Sequence, residues 1–210
     1  MRSWKVLCWN VRGLNSEARQ RVVRQKVIES RCAVVFLQET KLSECPQTLI
    51  KSICPAGFDQ FIESPSRGAS GGILVVWHSD VFSGALMEVK SYGIVINFKS
   101  VHNGDIWYLV NVYGPCQGTL RDEFVSWLYN LNVEPEQNCL LLGDFNFIRS
   151  LDNRNLPGGD INDTFIFNEI IGHLGLLELP LKGRRFTWSN MQDFPLLEQL
   201  DWFFTSASWI

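Results

Sequence analysis

Leu140-Leu141-Leu142-Gly143-Asp144-Phe145-Asn146 is the stretch on which the fold turns. An apolar run beginning at Cys139 ends at a glycine and at once delivers a carboxylate and an amide. A run of this length bounded by Gly suits a strand covered on both faces. Strand alternation then puts Asp144 and Asn146 on one side and Phe145 on the other. In an open α/β sheet, strand ends of this kind are where ligands bind. Gly, Asp and Asn are also common turn residues, so by itself the stretch reads equally well as a turn.

Working outward, the pattern recurs. Residues 4–9 form a strand that ends at Asn10-Val11-Arg12-Gly13-Leu14. Residues 16–31 place Val22, Val23, Val27 and Ile28 at helical spacing, with Arg19, Arg21, Arg24 and Lys26 mostly on the other side, a basic face that reads as solvated. A buried strand over 33–37 then runs into Gln38-Glu39-Thr40-Lys41 and completes a β-α-β unit, which calls for parallel or mixed pairing. From Phe58 short strands alternate with turns. Gly68-Ala69-Ser70-Gly71-Gly72 lacks the Lys-Ser/Thr signature of a phosphate-binding loop and leads into a strand at 73–77. Segments 81–90, 93–99 and 106–112 read as an antiparallel meander whose last strand runs into Asn111-Val112-Tyr113-Gly114-Pro115.

Residues 120–131 form a helix through Leu120, Phe124, Trp127, Leu128 and Leu131, and residues 163–174 another with Asp163 as its cap. Between the 139–142 strand and that second helix, 149–159 is a polar surface loop. Strand-like pieces follow at 183–188 and 200–204.

Composition bounds what such a chain can be. At 210 residues with 46% hydrophobic content it supports one large folded domain, spanning 1–210. A net charge of −3 offers no general basic field, so phosphate binding must come from local patches or a metal ion. The six cysteines lack the close pairing of zinc sites and read as reduced thiols of an intracellular protein. Residues 1–5 lead directly into a strand-like run, so neither signal peptide nor membrane span is expected.

Strand ends carrying Asn10, Glu39, Tyr113, and Asp144 with Asn146, followed by a strand carrying Asp201, resemble in order and flanking residues the endonuclease/exonuclease/phosphatase superfamily. Its members include the abasic-site endonucleases and pancreatic deoxyribonuclease. The matching words are Trp9-Asn10-Val11-Arg12-Gly13-Leu14, Leu37-Gln38-Glu39-Thr40-Lys41, Asn111-Val112-Tyr113-Gly114-Pro115, Gly143-Asp144-Phe145-Asn146 and Leu200-Asp201. Their wording is similar to the endonuclease domain of plant-type LINE retrotransposons. The resemblance implies an α/β fold: a four-layer αββα sandwich of two mixed sheets packed face to face, flanked by helices, here with the C-terminal strand missing. It implies a metal-dependent phosphodiester hydrolase that nicks double-stranded DNA with Mg²⁺ or Mn²⁺, accompanied in the full-length element by a reverse transcriptase and working in the nucleus.

Physical chemistry explains the residue types. Hydrolysing a phosphodiester brings an anionic phosphate to an oxygen nucleophile, and a hard cation neutralises the developing charge with only one or two carboxylate ligands. By resemblance, Glu39 steadied by Asn10 takes the metal, Asp144 orients or deprotonates the attacking water, and Asn146 holds that water or a phosphate oxygen. Tyr113 donates to a non-bridging oxygen, and Asp201 orients a histidine. That histidine lies in a Ser-Asp-His word which this sequence lacks; His78, His102 and His173 read as surface or capping residues. Arg12 stands where the abasic-site enzymes have an aspartate, which argues against abasic-site selectivity. Arg12, Lys41, Arg121, Arg184 and Arg185 are the expected cations of a nucleic-acid groove. The rival expectations are a phosphatase on a small substrate such as a phosphoinositide, and a catalytically dead retroelement remnant.

Overall fold

The structure is a computed structural model that describes residues 4–68, 70–133 and 136–209, so Ala69 of the glycine-rich stretch and the chain end at Ile210 lie outside the described residues. The chain divides into two compact units, Met1–Tyr113 and Gly114–Ile210. The first contains β1 (Val6–Asn10), α1 (Glu17–Ser30), β2 (Val34–Gln38), α2 (Gln47–Ile53), β3 (Phe58–Arg67), β4 (Ser70–His78), β5 (Phe82–Lys90), β6 (Gly93–Ser100) and β7 (Ile106–Tyr113).

β2 decides the layering of this unit. Every one of its residues is buried, as an apolar β-branched run covered on both faces requires. It pairs in parallel with β1, from Val6↔Val34 to Asn10↔Gln38, and antiparallel with β4, giving the sheet order β1-β2-β4-β3. Val35, Leu37, Leu74 and Val76 point to one side, where they pack with Val23 and Val27 of α1 and Leu49, Ile50 and Ile53 of α2. The alternate residues point the other way, toward the antiparallel meander β5-β6-β7. There Trp77 meets Phe98 edge-on at 5.2 Å and its indole donates to Phe82 O at 3.1 Å.

α1 starts at Ser16, whose side chain accepts from Arg19 N, and stops at Arg31 in the left-handed region. Its apolar stripe is narrower than the sequence pattern suggested. Val23 and Val27, an i,i+4 pair, are buried, whereas Val22 and Ile28 are 54% and 49% exposed, since each lies about 100° of helical turn away from that pair. The basic face is not simply solvated either. Arg24 donates to Lys51 O and Cys54 O at the end of α2, and Arg19 donates to Arg12 O.

The second unit contains α3 (Thr119–Tyr129), β8 (Asn138–Asp144), α4 (Ile161–His173), β9 (Leu176–Glu178), β10 (Trp188–Ser189), β11 (Leu197–Glu198) and β12 (Asp201–Ser206). β12 lies between β8 and β9, antiparallel to both, and β10 and β11 form a short hairpin. The expected strand at 183–188 is therefore reduced to its last residue. α4 begins two residues before the expected start. Its cap is Asp160, whose carboxylate accepts from Asn162 N and Asp163 N at 2.8 and 3.1 Å, while Asp163 turns aside to pair with Arg121.

An aromatic cluster fills this unit. The Phe167 ring on α4 lies 5.2 Å from Phe145, 5.3 Å from Phe147, 6.4 Å from Trp202 and 6.0 Å from Phe204. No disulfide joins any of the six cysteines, all of which lie among the described residues. No helix among the described residues is long and apolar enough to cross a membrane.

Two measurements test this packing. Phe167→Ala removes the ring that the other four touch and should destabilise the protein by about 3–5 kcal/mol in urea unfolding; Phe165→Ser, on the exposed side of the same helix, should change it by less than about 0.5 kcal/mol. Burial pushes the Cys54 and Cys139 thiols up to about 12. A thiol that keeps its proton more tightly when folded gives its full contribution below the unfolded pKa of about 8.5 and loses it as pH rises through the folded value. Stability should therefore fall from pH 9 upward, and less steeply in a Cys54→Val variant; parallel pH profiles for the two proteins would contradict this.

Candidate active site

Parallel pairing brings the ends of β1 and β2 to the same edge of the first unit, with Asn10 beside Gln38. The two segments stay bonded past the strands: Val11 N donates to Gln38 O at 3.0 Å, Gly13 N to Glu39 O at 2.7 Å and Leu14 N to Thr40 O at 2.9 Å. On the other flank Thr40 N and Lys41 N donate to Gly72 O and Gly71 O, each at 3.0 Å. Glu39 is thus carried on a turn bonded from both sides. Arg12, Glu39 and Lys41 all have left-handed backbones, with φ of 50°, 55° and 58°. Each such residue costs on the order of 1 kcal/mol or more and persists only where its surroundings over-determine it.

The side chains are partly committed. Asn10 Oδ1 accepts from Arg12 N at 3.1 Å, closing the turn after β1. Glu39 Oε1 lies 3.0 Å from Lys41 Nζ. Tyr113 closes β7, half-buried, with its backbone N donating to Tyr92 O at 3.0 Å. Directly before Glu39, and two residues before Tyr113, Gln38 and Asn111 are wholly buried and joined by Gln38 Nε2 donating to Asn111 Oδ1 at 2.5 Å. The sequence reading assigned neither of these two a role. Both lie inside the matching words, and a polar residue within an apolar strand was the available signal.

In the second unit the opening stretch proves to be both strand and turn. β8 ends at Asp144, and Asn146 has φ 53°, so strand alternation does not continue to it. Asn146 N donates to Asp144 Oδ1 at 3.0 Å, and Asn146 Nδ2 donates to Gly114 O at 2.6 Å. Gly114 N returns a bond to Asp144 O at 2.7 Å, and a Cβ on Gly114 would lie 2.2 Å from Phe145 O, so only glycine fits there. Asp201 is the direct cross-strand partner of Asp144. Facing residues of an antiparallel pair have side chains on one face about 4.5–5.5 Å apart, where two carboxylates repel unless a proton or cation sits with them. Asp144, Asn146 and Asp201 are therefore brought together in this unit, as Asn10 and Glu39 are in the first.

The expected groove cations divide. Arg121 has a structural role: its guanidinium pairs with Asp163 Oδ2 at 2.6 Å, donates to Pro115 O and Asn146 O, and lies 3.8 Å over the Phe147 ring. Arg185 donates to Asp152 O, Lys41 is paired with Glu39, and Arg184 is exposed. The histidines lie against aromatic rings: half-buried His78 is tilted by 50° to Phe58 at 4.0 Å, while exposed His102 and His173 stack on Trp4 at 5.7 Å and on Tyr129 at 4.2 Å. Burial holds the His78 ring below the usual histidine range, against the pull of Asp59 and Asp80.

The sequence profile of the Endonuclease/Exonuclease/phosphatase family matches residues 7–210. The chain belongs to that family. The fold agrees: an AP endonuclease from Leishmania major superposes on 98% of this chain and 79% of its own, with a TM-score of 0.75 at 15% identity. The endonuclease domain of TRAS1, a telomere-specific non-LTR retrotransposon, covers 98% of this chain and 86% of its own at a TM-score of 0.73 and 13% identity. At such identities the likeness is one of fold, and it bears out the mixed α/β, helix-flanked class. In sequence, 110 residues, 50% of the chain, are 26% identical to the transposon TX1 uncharacterized 149 kDa protein of Xenopus laevis, and they span 8% of that protein.

Within this endonuclease/exonuclease/phosphatase chain, Arg121 should behave as a structural residue. Arg121→Ala leaves Asp163 and the Asn146 carbonyl without their shared donor and should destabilise the protein by about 2–4 kcal/mol in urea unfolding. Arg121→Lys should recover only part of that, because an ammonium cannot reach the carboxylate and the carbonyls as a planar fork does. Full stability in Arg121→Ala would return this side chain to the groove.

Proposed function

We propose that this protein is a metal-dependent endonuclease that nicks double-stranded DNA, the nuclease part of a LINE-type retroelement or a gene derived from one. The observation that carries the reaction class is the facing pair Asp144 and Asp201, with Asn146 folded back onto Asp144. Asp144 orients a water and accepts its proton, the facing Asp201 carboxylate raises the proton affinity of Asp144 and so suits it to that task, and the Asn146 turn fixes Asp144 in place. Tyr113 supplies a phenol suited to a phosphate oxygen.

The donor set of the first unit fits a hard cation. Glu39 offers carboxylate oxygens and Asn10 an amide oxygen, all hard donors, and among the described residues no group of three or more His, Cys, Asp or Glu could form a closed cage. One carboxylate with an amide suits Mg²⁺ or Mn²⁺, which keep several waters, and does not suit zinc. When bound, such an ion neutralises charge developing on the phosphate. Lys41 meanwhile balances the Glu39 charge.

Support for DNA, as against a small phosphate ester, comes from the β10–β11 hairpin. Between its strands Met191 and Phe194 are 78% and 91% exposed, and exposed Lys182, Arg184 and Arg185 precede it. Apolar wedges beside cations suit a duplex whose base steps can be opened and whose phosphates need neutralising. The similarity to a transposon protein and to a retrotransposon endonuclease domain supports the retroelement origin; a reverse transcriptase in the same element and work in the nucleus are part of the same proposal.

The test is plasmid nicking with Mg²⁺. Glu39→Gln and Asp144→Asn should each lower the rate by about a hundredfold or more, and binding should weaken steeply with salt. Phosphoinositide hydrolysis without nicking would establish the phosphatase reading in its place. Binding without any hydrolysis would point to a remnant.

A further inference from the structure

The glycine pair Gly71-Gly72 is the sequence feature that the catalytic reading leaves unused. We propose that Gly72 is a positioning residue for Glu39: it sets the direction of the carboxylate by holding the Glu39-Thr40-Lys41 turn against the start of β4. This rests on the reading of Glu39 as the cation-binding carboxylate.

Both glycines have left-handed backbones, with φ of 83° and 89°, and this aims their carbonyls at the turn, where Lys41 N and Thr40 N donate to them. The two differ in what surrounds them. A Cβ on Gly71 would meet nothing within 4 Å. A Cβ on Gly72 would lie 2.2 Å from Thr40 Oγ1 and 3.2 Å from the Lys41 backbone N. Thr40 is buried and its peptide is held on the far side by Leu14 N, so it has little room to retreat. Lys41 is followed by Leu42, whose carbonyl accepts from Ser66 N at 2.8 Å, and Ser66 is the register partner of Gly71. The turn is thereby fixed on three sides, and a collision at Thr40 passes into Glu39, whose own φ of 55° leaves little freedom to absorb it. Metal–oxygen distances tolerate only about 0.2 Å, so a displacement too small to unfold the sheet is large enough to spoil a ligand.

The experiment compares Gly72→Ala, Gly71→Ala, Thr40→Ala and the Gly72→Ala/Thr40→Ala pair, with Glu39→Gln as reference. Amide hydrogen exchange reads the turn, free Mn²⁺ measured by electron paramagnetic resonance reads the metal, and nicking is followed against Mg²⁺ concentration. In Gly72→Ala, exchange at the Thr40 and Lys41 amides should rise at least tenfold while β6 and β7 stay protected. Mn²⁺ affinity should fall about tenfold, and the Mg²⁺ needed for half-maximal nicking should rise by the same factor. Gly71→Ala carries the backbone strain without the collision and should show less than a third of each effect. In the pair, removing Thr40 Oγ1 should restore most of the Mn²⁺ affinity relative to Thr40→Ala alone. Unchanged exchange in Gly72→Ala overturns the proposal, as do equal effects of the two glycine variants. Raised exchange with unchanged Mn²⁺ binding overturns the link to Glu39. If Glu39→Gln binds Mn²⁺ as the unaltered protein does, the metal reading itself fails, and the exchange data alone then decide whether Gly72 holds the turn.

Discussion

Gln38 has no access to water, and the edge of the first unit that carries Asn10, Glu39 and Tyr113 depends on how its amide is satisfied. It ends the most buried strand of the unit and projects toward the meander, where Asn111 of β7 is the partner. The bond ties β2 to β7 just beneath Glu39 and Tyr113. It is also incomplete: Gln38 Oε1 and Asn111 Nδ2 are buried without partners. An unsatisfied buried group costs on the order of 1–3 kcal/mol, so two apolar residues of matching shape would serve stability as well or better. What the amide pair supplies is register, because only one alignment of β2 on β7 lets the two groups meet.

The rest of that edge is held by backbone. Glu39 and its neighbours adopt conformations that isolated chains avoid, and backbone hydrogen bonds with residues 13–14 and 71–72 keep them there. In the second unit the same task falls to packing. Phe145 is driven into the aromatic cluster around Phe167, and its burial between Asp144 and Asn146 forces the chain to turn. Arg121 and Gly114 then fasten the turn from outside. Of the six non-glycine residues with positive φ among those described, Arg12, Glu39, Lys41 and Asn146 belong to these two sites. Strain is concentrated where the chemistry is proposed, as expected where function rather than stability chose the conformation.

Charge was the least legible property. The motif words make the nearby arginines look equivalent, yet Arg121 is a half-buried fork with an acid, two carbonyls and a ring, whereas Arg184 lies in solvent. Which of these a given arginine becomes depends on residues far away in sequence: Asp163 lies 42 positions from Arg121. Helix α1 shows the same limit, since Arg19 and Arg24, on the face that reads as solvated, donate to carbonyls of other segments.

Local sequence alone determined the larger elements and their order: the buried β2, the β-α-β unit it completes, the meander and the strand end at Asp144, but not α2, β9 or the β10–β11 hairpin. Hydrophobic period and turn chemistry act within a few residues, so these could be read without partners. The motif words likewise named Asn10, Glu39, Tyr113, Asp144, Asn146 and Asp201, because chemistry restricts residue type. Only tertiary structure decided that Asp201 faces Asp144, that Gln38 meets Asn111, that Asn146 leaves the strand, and that Gly72 and Gly114 must lack a side chain. Each of these depends on which distant segment arrives at a given point and how closely, and the spacing of residues along the chain does not contain that distance.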